Sequence, residues 1–262
     1  MEHILLATYQ RDITPYVDLA QAHGAGLEVQ VYGYDTGLLD DEQECRKLLD
    51  QHKAQLQGFE GKIAIHGAFY DLSPASPDQR IVKLVRERYL LNLDIAAELG
   101  ACHVVFHANF FPIVRNPAHR PNWTERQVEF WGPMAEEAAK RGVVVALENM
   151  WEPDPGIIGD VLDRVDSPHV CACLDVGHVY LFSDYVPLKA WIERLEHRLV
   201  HCHLNNHRGF YDEHLPLDLP GGVIDYKRDV LPLLRALPDQ PLLVLEMDDI
   251  EYLRRSLRYL GR

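Results

Sequence analysis

Four short apolar runs in this chain stop on a residue that can hold a cation. The runs at 143–148, 170–175, 199–203 and 241–246 end in Glu148, Asp175, His203 and Glu246. Two earlier runs, 62–66 and 103–107, follow the same grammar and end in His66 and His107. An ionised carboxylate at the end of an apolar strand is costly to bury unless it is paired or coordinates a cation. Six endings of this kind imply one shared site, so the elements that carry them must bring their ends together.

Those elements alternate. Strands are predicted at 3–8, 26–32, 62–67, 102–108, 143–149, 170–175, 198–204 and 241–247, and helices near 11–24, 42–57, 77–99, 124–142, 155–166, 186–197, 225–237 and 249–261. In the third helix Ile81, Leu84, Val85, Leu91, Ile95 and Leu99 recur at three-and-four spacing, the mark of a helix packed on one face. Gly24, Gly58, Gly100 and Gly142 stand where helices should stop. Strands alternating with helices imply parallel pairing with right-handed crossovers, and eight such units allow the sheet to close. A single (β/α)8 TIM barrel over residues 1–262 is therefore expected, with its active site at the C-terminal rim of the strands. An open doubly wound sheet would normally show a glycine-rich first turn, whereas Thr8-Tyr9-Gln10-Arg11 follows the first strand.

Side-chain alternation supports closure. Counting back by twos from the ligands gives residues such as Ala64, Val105, Ala146, Cys173 and Val244. The other parity gives Ile63, Ile65, Val104, Phe106, Val145, Leu147, Leu243 and Leu245. The smaller set suits a narrow barrel interior and the bulkier set a surface covered by helices. The long irregular stretches 110–122 and 205–222 both emerge on the ligand side, where long loops tend to act as lids or binding loops. The acidic clusters Asp40-Asp41-Glu42 and Asp248-Asp249 are expected to favour helix N-termini rather than bind metal.

Composition narrows the partners. With 26 basic against 40 acidic residues the formal charge is −14, which repels a polyanion, so nucleic acid is a disfavoured partner. The first ten residues lack the basic flank and apolar stretch of a signal peptide, and no run approaches a membrane span; a soluble cytoplasmic protein is expected. Homo-oligomerisation is left open. The five cysteines suggest reduced thiols packed in strands. Cys171-x-Cys173 lacks the spacing and the second pair of a structural zinc site and is expected to fill core.

Taken together, His66, His107, Leu147-Glu148-Asn149, Leu174-Asp175-Val176-Gly177-His178, His203-Leu204-Asn205, Asp212-Glu213-His214 and Glu246 resemble the xylose-isomerase-like barrels, which include sugar isomerases, epimerases and apurinic-site endonucleases. The segment 66–74, His-Gly-Ala-Phe-Tyr-Asp-Leu-Ser-Pro, is similar to bacterial sugar phosphate isomerases or epimerases. The resemblance implies a divalent-metal core of Glu148, Asp175, His203 and Glu246, with Glu148 and Glu246 also acting as general bases and acids on opposite faces of a ketose. A cation holding the carbonyl and a neighbouring hydroxyl would acidify the carbon-bound proton and stabilise the enediolate. His178 would contact substrate or a further metal. His66, His107, His178, Asp212 and His214 match the extra ligands by which the endonuclease branch holds three zinc ions. The implied cofactor is thus one to three divalent ions (Mn2+, Zn2+, Mg2+ or Co2+). Pro220 departs from the family's glycine in the loop before Ile224.

The expected function is a metal-dependent isomerase or epimerase of a small sugar or sugar phosphate. The alternatives are a polynuclear phosphoesterase and a catalytically silent metal- or sugar-binding barrel. Arg208 is a candidate for contacting substrate or a solvated loop residue. Of three tryptophans that could stack on a sugar, Trp131 sits in an apolar helical stretch and is expected in the core, Trp123 is undecided, and Trp151 lies in a rim loop as a candidate substrate contact. Glu28 has the parity of Gln30 and Tyr32 and either points toward substrate or pairs with His103.

Overall fold

Strands that alternate small and bulky side chains bury both faces by closing on themselves. In the computed structural model, which describes residues 3–183 and 185–262, eight parallel strands pair in chain order and the eighth pairs with the first. They are β1 (Ile4–Thr8), β2 (Gly26–Val29), β3 (Ile63–His66), β4 (His103–His107), β5 (Val144–Glu148), β6 (Val170–Asp175), β7 (Leu199–Leu204) and β8 (Leu242–Leu245). This is the expected (β/α)8 barrel. Because all strands run parallel, their C-terminal ends share one rim. The register sets His107 beside Glu148 and Asp175 beside His203, so ligands from separate runs become lateral neighbours.

The two parities part as expected. Ile65, Val104, Phe106, Val145, Leu147, Leu243 and Leu245 join the large core between sheet and helices. Ala64 and Val244, and separately Val105, Ala146 and Cys173, form two small clusters inside the barrel. Trp131 is fully buried, stacked 5.7 Å from Tyr89, and Trp123 packs edge-on to Phe110 at 5.3 Å, so both serve the core. All five cysteines are free, and Cys171 and Cys173 lie buried in β6.

The helices are α1 (Thr14–His23), α2 (Val31–Tyr34), α3 (Glu42–Gln55), α4 (Gln79–Leu99), α5 (His119–Lys140), α6 (Gly156–Val165), α7 (Val176–Phe182), α8 (Leu188–Leu195), α9 (Leu231–Arg235) and α10 (Ile250–Leu260). The acidic clusters act at helix starts: Asp41 accepts the N–H groups of Gln43 and Glu44, and Asp249 that of Glu251. Caps of this kind contribute about 1 kcal/mol each. Gly24 and Gly100 end α1 and α4 with φ of 59° and 70°, a left-handed conformation that favours glycine.

Beyond shifts of one to three residues at most element ends, four features differ from expectation. β2 stops at Val29 and the chain turns into α2, so Tyr32 leaves the barrel and its hydroxyl meets His52 at 2.8 Å. α5 starts five residues early, because Pro121 sits in its first turn, where no backbone donor is required. The helix expected at 225–237 is a π-helical turn, Tyr226–Val230, followed by α9, with Pro232 starting the new turn. α7 was not expected; Asp175 itself caps it. Among the described residues no helix is long and apolar enough to cross a membrane. Residues 1 and 2 of the N-terminal segment lie outside the described residues.

Candidate metal centre

The rim gathers all nine ligand candidates. Their donor atoms fall into three groups, each within 4.8 Å of one another: Glu148, Asp175, His203 and Glu246; His66, His107 and Glu148; and His178, Asp212 and His214; a fourth such group, Cys173, His201 and His203, includes two residues outside the nine. Glu148 joins the first two, with Oε1 3.0 Å from His203 Nδ1 and Oε2 3.2 and 3.3 Å from His66 and His107 Nε2. His178 connects the third, with Nε2 3.0 Å from Asp212 Oδ2 and Nδ1 3.7 Å from Glu148 Oε1. His214 Nε2 lies 3.1 Å from Asp212 Oδ1. Asp212 and His214 are held by a bridge between Asn206 and Leu215, which exchange backbone hydrogen bonds of 2.9 and 2.8 Å and pin the loop's base. Pro220 lies in a turn closed by the Gly222 N–H on Leu219, and the ligands are in place despite it.

Partners outside the cluster fix the imidazoles. A carbonyl oxygen only accepts, so His66 Nδ1 donates to Gly67 and His178 Nδ1 donates to Asn149, at 2.9 and 2.8 Å. Nε2 of each ring is then left as the ligand atom. His203 is held the other way round, with Nε2 3.1 Å from Glu28 Oε1 and Nδ1 facing the cluster. Asp175 is braced by the His178 N–H on Oδ1 (2.6 Å) and the Asn205 amide on Oδ2 (2.9 Å). Asn149 clasps the Asp175 backbone from both sides. Such outer partners orient ligands and set their basicity.

This arrangement calls for positive charge at its centre. With Nε2–H donated to Glu28, a neutral His203 would turn its Nδ1 lone pair toward Glu148 Oε1 at 3.0 Å and Glu246 Oε2 at 3.2 Å. Two carboxylate oxygens facing a lone pair need a cation between them, either a second ring proton or a metal. Glu246 Oε2 is buried without a hydrogen-bond partner. The donor set, imidazole and carboxylate, suits zinc, manganese or cobalt.

The ionisations carry the same signature. Burial pushes Asp175 up to about 7, with Glu246 and Glu148 adding to the rise and His178 opposing it. Burial would also raise Glu246, but His203 and His214 hold it down at about 2. For His214 burial favours the neutral ring, yet Glu246 and Asp212 prevail and lift it to about 9. A ring raised this far binds a proton where it should bind metal. Metal affinity is therefore expected to increase between about pH 6 and about pH 9, by up to tenfold per unit for each proton displaced. Competition titrations across that range check this, and a flat profile would exclude His214 as a ligand.

Gly177 shows how little room the site leaves. A Cβ there would lie 2.2 Å from Asn205 Oδ1. Gly177→Ala should displace the Asn205 amide from Asp175 and weaken metal binding roughly 10–100-fold, the usual loss when an outer partner moves. An unchanged metal titration would show that Asn205 is not a support.

Other candidates have different surroundings. Arg208 pairs with Glu213 at 2.5 Å, and half of its side chain is exposed. Trp151 packs on Phe111 with ring centroids 5.1 Å apart. Glu28 does not pair with His103: its carboxylate is taken by His201 and His203, and His103 faces His201 instead at 3.1 Å. The sequence reading missed four contributors. The Tyr9 hydroxyl lies 3.4 Å from His214 Nδ1, and Phe69 packs 5.2 and 4.8 Å from the rings of His66 and His107. Gln30 donates to Glu246. Glu152, buried and raised by burial to about 7, accepts the N–H groups of Phe110 and Met150 and so ties two rim loops together. Of these only Phe69 and Glu152, close to ligands in sequence, carried a local signal.

A sheet closed in this order with this ligand rim defines a family. The chain belongs to the xylose isomerase-like TIM barrels, whose family model matches residues 17–262. It is similar to the TTHB071 protein from Thermus thermophilus, a structure obtained with ZnCl2 soaking, at 30% identity and TM-score 0.80 over 98% of this chain and 96% of that one. A D-tagatose 3-epimerase-like protein superimposes with TM-score 0.79 at 22% identity, covering 100% of this chain and 96% of that one, which shows the shared fold. An uncharacterised protein of Methanocaldococcus jannaschii, MJ1311, is 25% identical over 167 residues. That match covers 61% of this chain and 56% of the relative, so the chain spans little more than half the length of the curated relative it matches.

Proposed function

We propose that this chain is a divalent-metal-dependent isomerase or epimerase acting on a small sugar or sugar phosphate. The observation that carries the reading is the pair of carboxylates, Glu148 and Glu246, converging on His203 Nδ1 with Glu246 Oε2 unpartnered. Glu148, Asp175, His203 and Glu246 would hold the ion, which when bound polarises a ketose carbonyl and acidifies the neighbouring C–H. Glu246, ionised at neutral pH, takes the proton from that carbon. In epimerisation a proton drawn from solvent would pass through Glu148 to the opposite face of the same carbon, while Glu246 gives up to solvent the proton it took. In isomerisation a proton returns to the adjacent carbon. His178 and Trp151 are the candidate substrate contacts, and Arg208 could become one only by leaving Glu213. Names of structural relatives point the same way, among them D-tagatose 3-epimerase-like protein and D-psicose 3-epimerase.

The hydrolytic alternative draws on one specific observation, the three ligand groups in contact through Glu148 and His178. Paired cations suit phosphodiester hydrolysis. Against it stands the net charge of −14; of the three rim arginines, Arg120 and Arg208 are tied to Asp154, Asp160 and Glu213, and Arg115 alone is exposed without such a tie among the described residues. A panel of ketoses, their aldose isomers and their C3 epimers, incubated with metal-loaded protein and resolved by chromatography, separates the two. Interconversion lost on chelation and restored by metal is expected. No turnover across the panel, together with metal-dependent cleavage of abasic DNA, would establish the hydrolytic reading in its place.

A further inference from the structure

Beneath the rim, β2 and the residue that follows it bring two polar side chains, Glu28 and Gln30, into a barrel interior where small apolar clusters sit beside His103 and His201. Glu28 is fully buried, and both its oxygens are occupied: Oε2 lies 2.7 Å from His201 Nε2 and accepts from His203 Nε2 at 3.4 Å, while Oε1 accepts from Gln30 Nε2 at 2.7 Å and lies 3.1 Å from the same His203 nitrogen. With no free oxygen, Glu28 is not itself a ligand. Gln30, just past the end of β2, uses the second N–H of the same amide on Glu246 Oε1 at 2.8 Å. Its own Oε1 is buried without a partner. The flipped amide would set that oxygen against two carboxylates, so the orphaned acceptor accompanies the double donation.

We infer that Glu28 and Gln30 are paired positioning residues that select which atoms of His203 and Glu246 face the metal. The inference rests on the metal centre proposed above and concerns the support beneath it. Glu28 accepts the His203 Nε2–H and thereby fixes the tautomer that presents Nδ1. Gln30 occupies Glu246 Oε1 and leaves Oε2, the unpartnered atom 3.2 Å from His203 Nδ1, as the one that projects. One amide thus couples the orientation of a ligand on β7 to that of a ligand following β8. His201 completes the support by holding Glu28 Oε2 at 2.7 Å, with His103 3.1 Å behind it.

The test is cobalt(II) binding to full-length protein, read by competition against a chromophoric chelator and by the visible absorption of the bound ion. Glu28→Gln keeps size but removes the charge and one acceptor; Gln30→Met keeps length but removes both N–H donors. Each is expected to weaken cobalt roughly 10–100-fold and to alter its absorption bands, as loss of an outer partner does. Cys171→Ser, a core position, should change neither. Wild-type affinity and spectrum in both variants would overturn the positioning role and leave the metal centre standing. Failure of the unmodified chain to bind cobalt would instead remove the proposed function, and the inference with it. If Glu28→Gln does not fold, as judged by near-ultraviolet circular dichroism, Gln30→Met decides the question alone.

Discussion

Glu148→Gln should abolish the stabilisation that divalent metal gives this chain. Its two oxygens meet four imidazoles, those of His66, His107, His178 and His203, at 3.0 to 3.7 Å, so one carboxylate reaches into all three ligand groups at the rim. The amide keeps the shape but supplies no charge and turns a donor toward rings that need an acceptor. In the unmodified chain, metal at a hundredfold excess over its Kd should add about 2.7 kcal/mol. For a chain of this size that corresponds to roughly 5–10 °C in Tm. Thermal melts with and without chelator should show this shift in the unmodified protein and lose it in Glu148→Gln. Cys173→Ser should retain more of it, since burial holds the Cys173 thiol well above its ordinary range and leaves it protonated as barrel filler. A Tm indifferent to chelator in the unmodified chain would remove the metal centre.

Glu246→Gln is expected to suppress proton abstraction from a ketose about 10²–10⁴-fold, the range for losing a general base. Glu246 stays ionised at neutral pH and so can accept a proton, with one oxygen fixed by Gln30 and the other unpartnered. Cobalt titration of the same variant separates the chemical loss from a loss of metal. If turnover falls only in proportion to metal occupancy, Glu246 is a ligand and the base is another group.

The barrel was legible because its signal is repeated. Eight apolar runs of one grammar, glycine stops such as Gly100, and strand parity as clean as Ala64 against Ile65 all report the same architecture, and each is local in sequence. Six of the nine ligand candidates were legible for the same reason, since they end strands, whereas His178, Asp212 and His214 followed only from the family resemblance. Their supports were not. Glu28 meets His201 and His203 across the barrel, 173 and 175 residues away in sequence, and Gln30 meets Glu246 across 216, so no spacing rule links them. β2 also ends at Val29 rather than running to 32, which sends Tyr32 to His52 and breaks the parity that had grouped it with Glu28. Arg208 could not be placed from its position alone, because its pairing with Glu213 depends on how the loop folds back.

The central claim, proton transfer at a carbon beside a carbonyl, is tested most directly by solvent exchange. Metal-loaded protein is incubated with neutral ketoses and ketose phosphates in deuterated water, and deuterium on the carbon next to the carbonyl is followed by NMR. The expected result is metal-dependent incorporation into at least one ketose, lost on chelation and suppressed in Glu246→Gln. Absence of carbon exchange in every ketose, with metal-dependent cleavage of abasic DNA that is lost on His66→Ala, would contradict it.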